Sequence, residues 1–148
     1  MERAYKRVTS NKGAAGVDGV ETTQLREVLN EQWPRIKTEI EEGRYKPQPV
    51  RRVEIDKPGG GTRPLGIPTT TDRLIQQAIQ QVLGAVYEPD FSPHSYGFRP
   101  GKSAHDGVRQ ALSYINEGYT WVVDMDLKRF FDKVNHDYLM HLVSQRIF

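Results

Sequence analysis

Apolar residues recur at helical spacing along most of this chain, usually behind a residue that caps or starts a helix. Helices are therefore predicted after Thr22 or Thr23, from Pro34 to Gly43, behind the cap at 69–72, from Ser103 to about Asn116, and from about His136. Residues 1–20, by contrast, are basic and then glycine-rich, and they predict a loop.

Strand-like patterns occur in two places. In residues 51–56, Val53 and Ile55 alternate with charged neighbours, and residues 62–67 form the returning segment after the turn Pro58-Gly59-Gly60-Gly61. This pattern predicts a β-hairpin with a loose glycine tip. The short apolar run 121–123 predicts a buried strand that ends in Asp124 and Asp126. Because side chains alternate along a strand, both acids would lie on one face.

Composition narrows the class of protein. The chain has 148 residues and no cysteine, which fits a reducing, cytoplasmic setting and excludes thiolate metal sites. Its four histidines lack the spacing of a zinc site, and no apolar run approaches the length needed to cross a membrane. No membrane partner is therefore expected.

The net charge of +2 is too small to indicate a nucleic-acid partner, but its distribution is uneven. Residues 21–42 hold six acidic side chains, whereas residues 44–64 hold six basic ones against Glu54 and Asp56. The predicted hairpin is therefore a basic patch, and Arg51 and Arg52 are candidates for contact with a phosphate backbone.

Asp124 and Asp126 need an explanation, because a carboxylate at the end of a buried strand is costly unless it is paired or binds a cation. Spacing alone leaves open whether they bind a metal or are a solvated strand end before the next helix. Residues 121–139, Trp-Val-Val-Asp-Met-Asp-Leu-Lys-Arg-Phe-Phe-Asp-Lys-Val-Asn-His-Asp-Tyr-Leu, resemble the first catalytic-aspartate motif of the reverse-transcriptase palm, in the form found in group II intron reverse transcriptases.

The resemblance implies a role for each side chain of this motif. It makes Asp126 the catalytic ligand of Mg²⁺, and it places Phe131 under the sugar of the incoming nucleotide, where it rejects a 2′-hydroxyl. Magnesium prefers hard oxygen ligands, which suits an aspartate in phosphoryl transfer. Asp132 is predicted to be a surface or helix-start acid, and Asp124 at most supports the metal site from outside.

Two more segments carry the same resemblance. Residues 51–79 resemble the fingers hairpin, in which Lys57 before the turn and Arg63 after it would hold the triphosphate; the residues alone also allow an ordinary exposed hairpin. Residues 95–107 resemble the motif between fingers and palm, and Arg99 and Lys102 there are candidates for template contact. Gly101-Lys102-Ser103 is not a P-loop, because its first glycine would have to stand at Tyr96.

The resemblance runs in order from Asn11 to Leu139 and implies an α+β fold: reverse-transcriptase fingers, made of helices and a β-hairpin, with the first strand-helix unit of the palm. The predicted divisions are an N-terminal segment with helices at 1–43, fingers at 44–118 and the beginning of the palm at 119–148. The family's Tyr-x-Asp-Asp segment has no counterpart, so the chain is expected to be a fragment, whether by design, proteolysis or gene truncation.

The function implied by the resemblance is RNA-directed DNA synthesis in an intact protein that also assists intron splicing, with Mg²⁺ as cofactor. Template and intron RNA, a DNA primer and deoxynucleotides would be its partners, and self-association through uncovered apolar surface is expected. The 148-residue chain alone is predicted to be inactive. A non-catalytic RNA-binding maturase module, or a reverse transcriptase of a retron or another element, are the alternatives.

Overall fold

The computed structural model describes residues 1–147, which form six α-helices and one two-stranded antiparallel sheet. The helices are α1 (Glu2–Ser10), α2 (Leu25–Glu41), α3 (Thr70–Tyr87), α4 (Ala104–Asn116), α5 (Phe130–Lys133) and α6 (His136–Ile147), and the strands are β1 (Arg51–Asp56) and β2 (Thr62–Ile67). The chain separates into two compact units, one at residues 1–93 and the other from residue 94 onward. This mixture of helices with a small sheet agrees with the predicted α+β class.

The first unit has a small apolar core between α1, α2 and α3. Its fully or nearly buried apolar side chains are Ala4, Val8, Leu25, Ile36 and Leu74. Leu25 and Ile36 are eleven positions apart on α2, about three turns, so they lie on the same stripe of that helix. Helices α1 and α2 both contact α3, which is therefore the central element of the unit.

The prediction that Pro34 starts a new helix is wrong. Pro34 lies inside α2, which is continuous from Leu25 to Glu41. A proline inside a helix removes one hydrogen bond and costs about 3 kcal/mol. The helix continues because burial of Leu25 before the proline and Ile36 after it favours one unbroken stripe. The predicted end is confirmed, since Gly43 follows with a left-handed φ of 67°.

The prediction of a loop over residues 1–20 missed helix α1. Ala4 and Val8 are four positions apart and both are buried, which is the spacing of one helical face. The glycine-rich segment 11–19 does follow as a loop without regular structure. The helix therefore leads the chain directly into that loop.

The predicted hairpin is confirmed in position and type. Arg51 pairs with Ile67 and Asp56 with Thr62, and between them Glu54 faces Pro64. At the tip, the Gly60 N–H donates to the Lys57 carbonyl at 3.0 Å and the Lys57 N–H donates to the Gly61 carbonyl at 2.9 Å. The bonded pair Lys57 and Gly61 encloses a loop of three residues, 58–60. Gly60 has a φ of 90° there, which explains why this loop needs glycine.

Two predicted helix caps are also confirmed. The Thr69 hydroxyl accepts a hydrogen bond from the Asp72 N–H at the start of α3. Ser103 and Asp106 form a reciprocal capping box at the start of α4. The Ser103 hydroxyl, and then the Arg109 guanidinium, hold the pKa of Asp106 below its ordinary value. Both helices therefore start where their local sequence specifies.

The predicted palm strand is not present. Residues 121–127 have no regular secondary structure, and Trp121 is 95% exposed. A strand is stable only when a neighbour pairs with it, and among residues 1–147 the sole paired strands are β1 and β2. The apolar run therefore has β-propensity but no strand to pair with. Of the expected strand-helix unit, only the helices α5 and α6 are present.

No helix within residues 1–147 is long and apolar enough to cross a membrane. The predicted three-part division of a larger enzyme stays a prediction, since the two compact units describe a different property, the packing of this chain.

Candidate nucleotide-binding hairpin and its anchor

Lys57 and Arg63 flank the glycine tip of the hairpin. In the observed register Arg63 faces Ile55, and alternation places Lys57 on the same face, two positions beyond Ile55. Both side chains are exposed, and within residues 1–147 neither of them forms an ion pair with an acid. Two cations on one face, beside a glycine turn, can bind a polyanion such as a triphosphate.

Arg51 and Arg52 occupy opposite faces at the other end of the hairpin. Arg51 lies on the face of Lys57 and Arg63, whereas Arg52 faces Gly66 on the reverse side. The Arg52 Nη2 atom is 3.0 Å from a Glu54 carboxylate oxygen, and both side chains are exposed. Such an exposed pair contributes little stability and can be exchanged for a phosphate at low cost.

The base of the hairpin is closed by Asp72, in the first turn of α3. One carboxylate oxygen, Oδ2, accepts hydrogen bonds from the Thr69 hydroxyl at 2.7 Å and from the Gln48 N–H at 3.1 Å. The other oxygen, Oδ1, accepts from the Tyr45 hydroxyl at 2.7 Å. Asp72 is only 2% exposed, so these donors replace the water that a carboxylate would otherwise bind.

Tyr45 is the partner that sequence reasoning missed. Its burial, and then its hydrogen bond to Asp72, raise the pKa of the phenol above its ordinary value, because both favour the protonated form that donates to the carboxylate. It stands 27 positions from Asp72, and no local pattern links the two residues. The sequence identified Asp72 only as part of a helix cap.

The glycine-rich loop 11–19 rests against the same turn of α3. A Cβ atom added to Gly16 would lie 2.7 Å from the Thr69 Cα, closer than any real side chain allows. Next to Asp72, the Arg73 Nη2 atom donates to the Ala14 carbonyl at 2.7 Å. The first turn of α3 therefore holds the loop through Thr69 and Arg73 and the hairpin through Thr69 and Asp72.

Asp126 and Phe131 lie in the second unit, and both are exposed. Phe131 is 87% exposed and packs edge-to-face on Phe130, with 5.3 Å between the ring centres. The Arg129 Nε atom donates a hydrogen bond to a carboxylate oxygen of Asp132 at 2.9 Å, and this contact is exposed at the surface. No group of three potential metal ligands occurs within the described part of the chain. The predicted role of Asp126 as a magnesium ligand stays a prediction.

Arg99 and Lys102 precede α4 and contact their own loop. The Arg99 Nη1 atom donates to the Ser95 carbonyl at 3.0 Å, and the Lys102 Nζ atom lies 5.2 Å from the centre of the Tyr96 ring. Both contacts lie within the segment ahead of α4. The predicted contact of Arg99 and Lys102 with a template stays a prediction.

Comparison with known proteins agrees with the motifs. Residues 55–147 match the family described as reverse transcriptase (RNA-dependent DNA polymerase). That region covers more than half of the chain and includes the hairpin tip, helix α3 and the motif with Asp126. This chain belongs to the reverse transcriptase family.

Three curated relatives refine the comparison. Protein YkfC of Escherichia coli K12 is 42% identical over 153 residues, which covers 99% of this chain and 40% of that protein. The group II intron-encoded protein LtrA of Lactococcus lactis is 39% identical over 145 residues, which covers 97% of this chain and 24% of LtrA. Nuclear intron maturase 1 of Arabidopsis thaliana is 31% identical over 78 residues, with 53% and 11% covered.

The predicted resemblance to group II intron reverse transcriptases and maturases is therefore confirmed. The chain spans two fifths or less of the length of each of these relatives.

Proposed function

We propose that the intact protein is an RNA-directed DNA polymerase of group II intron type, which copies RNA into DNA and assists the splicing of its intron. The observation that carries this proposal is the hairpin, which presents Lys57 and Arg63 on one face beside a glycine tip. The first unit would then belong to the fingers, and the segment with Asp126 to the start of the palm. Likeness to an intron-encoded protein and to an intron maturase supports the splicing role.

The proposed substrates are template RNA, a DNA primer and deoxynucleoside triphosphates. Lys57 and Arg63 would bind the triphosphate, and Arg51, Arg52, Arg99 and Lys102 would contact nucleic-acid phosphates. Phe131, with its exposed ring, would lie against the sugar of the nucleotide. Asp126 would hold magnesium, which when bound supplies charge neutralisation for phosphoryl transfer.

The role of the hairpin is tested by steady-state kinetics of the intact polymerase. Lys57→Ala and Arg63→Ala should each raise the deoxynucleotide KM about tenfold or more, since a hydrogen bond to a charged group contributes about 1.5–3 kcal/mol. Lys37→Ala is the matched control, because Lys37 is an exposed cation of the first unit on helix α2, paired with Glu41. An unchanged KM in both hairpin variants would show that the triphosphate does not bind at Lys57 and Arg63.

The role of Asp126 is tested in the same enzyme. Asp126→Asn should abolish DNA synthesis while template–primer binding stays nearly intact, because the lost interaction stabilises charge in the transition state. Asp132→Asn should retain most of the activity, since Asp132 is an exposed acid bonded to Arg129. Activity in Asp126→Asn together with inactivity in Asp132→Asn would show that Asp132, rather than Asp126, is the metal ligand.

A further inference from the structure

Both ends of the hairpin converge on one buried carboxylate. Gln48 stands three residues before β1, and Thr69 stands two residues after β2. The Gln48 N–H and the Thr69 hydroxyl donate to the same oxygen of Asp72, at 3.1 Å and 2.7 Å. A single atom therefore joins the segment that enters the hairpin to the segment that leaves it.

The second oxygen of Asp72 fixes this junction to the rest of the first unit. It accepts from the Tyr45 hydroxyl at 2.7 Å, and Tyr45 follows the end of α2. Asp72 itself belongs to the first turn of α3, where the helix dipole favours a negative charge. The junction is thus tied to the segment behind α2 and to α3, the central element of the core.

We propose that Asp72 is a positioning residue for the nucleotide: by closing the base of the hairpin, it sets the place of Lys57 and Arg63 at the tip. The inference rests on the proposed function, since it assumes that the tip binds the triphosphate. An isolated two-stranded hairpin is marginally stable in water, so its direction depends on how its base is held.

The length of the hairpin makes its tip sensitive to the base. Six residues at about 3.3 Å each place the tip about 20 Å from the base. A rotation of about 10° at the base would then move the tip by about 3.5 Å, which is enough to break a hydrogen bond to a phosphate, since such bonds need a donor–acceptor distance of about 2.7–3.2 Å. Loss of the Asp72 contacts should therefore weaken nucleotide binding, although Asp72 does not contact the nucleotide.

The test compares four variants of the intact polymerase. Asp72→Ala removes all three side-chain contacts and should raise the deoxynucleotide KM about tenfold, with kcat at saturating nucleotide within about threefold of the parent. Asp72→Asn keeps the shape and one acceptor, so its rise should be smaller, and Tyr45→Phe should also give a smaller rise. Val8→Ala, a buried change in α1 remote in sequence from the hairpin, should leave KM unchanged.

A merely structural role for Asp72 would give another pattern. Global destabilisation would lower the amount of active enzyme, and hence kcat, in Asp72→Ala and Val8→Ala alike, with KM unchanged in both. That result would overturn the inference. A rise in KM confined to the Asp72 and Tyr45 variants, partly rescued by asparagine, would support it.

Two further measurements separate this inference from the proposed function. Lys57→Ala is assayed alongside: if it raises KM and Asp72→Ala does not, the positioning role is wrong while the hairpin site stands. If neither raises KM, the proposed nucleotide site fails. Amide hydrogen exchange of the 148-residue chain then tests the anchor directly. Exchange at Ile55 and Leu65 should be at least tenfold faster in Asp72→Ala and unchanged in Val8→Ala, and equal exchange would overturn the anchor itself.

Discussion

Gly16 provides a sharp test of how the glycine-rich loop packs on α3. A methyl group at this position would lie 2.7 Å from the Thr69 Cα and 2.8 Å from the Thr69 nitrogen. Ordinary contacts of a Cβ atom begin at 3.4 Å, so the two backbones must separate by about 0.7 Å. Both atoms belong to the backbone at the cap of α3, and neither can rotate away as a flexible side chain could.

The expected cost of Gly16→Ala is about 1–3 kcal/mol, the usual range for an overpacked site. For a unit of 60–100 residues, 1 kcal/mol shifts the melting temperature by about 4–8 °C, and the first unit spans residues 1–93. A cost of about 2 kcal/mol would therefore lower the Tm by about 8–16 °C. Thermal unfolding followed by far-UV circular dichroism measures this shift.

Two other glycines of the same unit serve as controls. Gly59→Ala meets no atom within 4 Å and has no left-handed φ, so it should change stability by less than about 0.5 kcal/mol. Gly19→Ala also has open space, but a φ of 70° should cost it about 1 kcal/mol. The expected order of destabilisation is Gly16, Gly19, Gly59. A Tm of Gly16→Ala within 2 °C of the Gly59→Ala value, about the 0.5 kcal/mol margin, would refute the described packing of the loop.

Three other predictions concern nucleic acid and catalysis. The 148-residue chain alone should not extend a primer, because one carboxylate cannot hold two magnesium ions in line, and incorporation by contaminant-free protein would contradict this. Replacement of Arg51, Arg52 and Lys57 by alanine should lower the slope of log K against log salt for RNA binding by about 2, at about 0.7 per contact, and an unchanged slope would place the contact elsewhere. In the intact enzyme, Phe131→Val should admit ribonucleotides while polymerisation continues; an unchanged ratio of deoxyribonucleotide to ribonucleotide incorporation would remove Phe131 from the sugar.

Elements with local causes were predictable from the sequence. The turn at 58–61 and the caps at Thr69 and Ser103 depend on residues within a few positions of one another, and each is found where it was predicted. The family was predictable for a related reason, since three motifs occur in order. Local chemistry and motif order do not depend on the packing of distant segments.

Features that depend on distant partners were not predictable. Pro34 lies within α2 because burial on both sides of it outweighs its local preference to start a helix. Trp121 does not form the predicted strand because no strand in the described part of the chain pairs with it. The hydrogen bond from Tyr45 to Asp72 crosses 27 positions without any periodicity. Each of these outcomes is decided by tertiary contacts, which spacing does not encode.

The position of Pro64 has a consequence for how the hairpin meets other strands. Pairs that exchange hydrogen bonds alternate with pairs that do not along an antiparallel ladder. Because Lys57 is bonded to Gly61, the pair Glu54–Pro64, three positions along, exchanges no hydrogen bonds, and its backbone groups point to the outer edges. The ring of Pro64 therefore replaces an N–H on the outer edge of β2. A further strand approaching that edge would lack this donor. The outer edge of β1 carries the charged residues Arg52, Glu54 and Asp56 at the corresponding positions. Both edges thus disfavour growth of the sheet, which keeps the hairpin two-stranded and guards it against edge-to-edge aggregation.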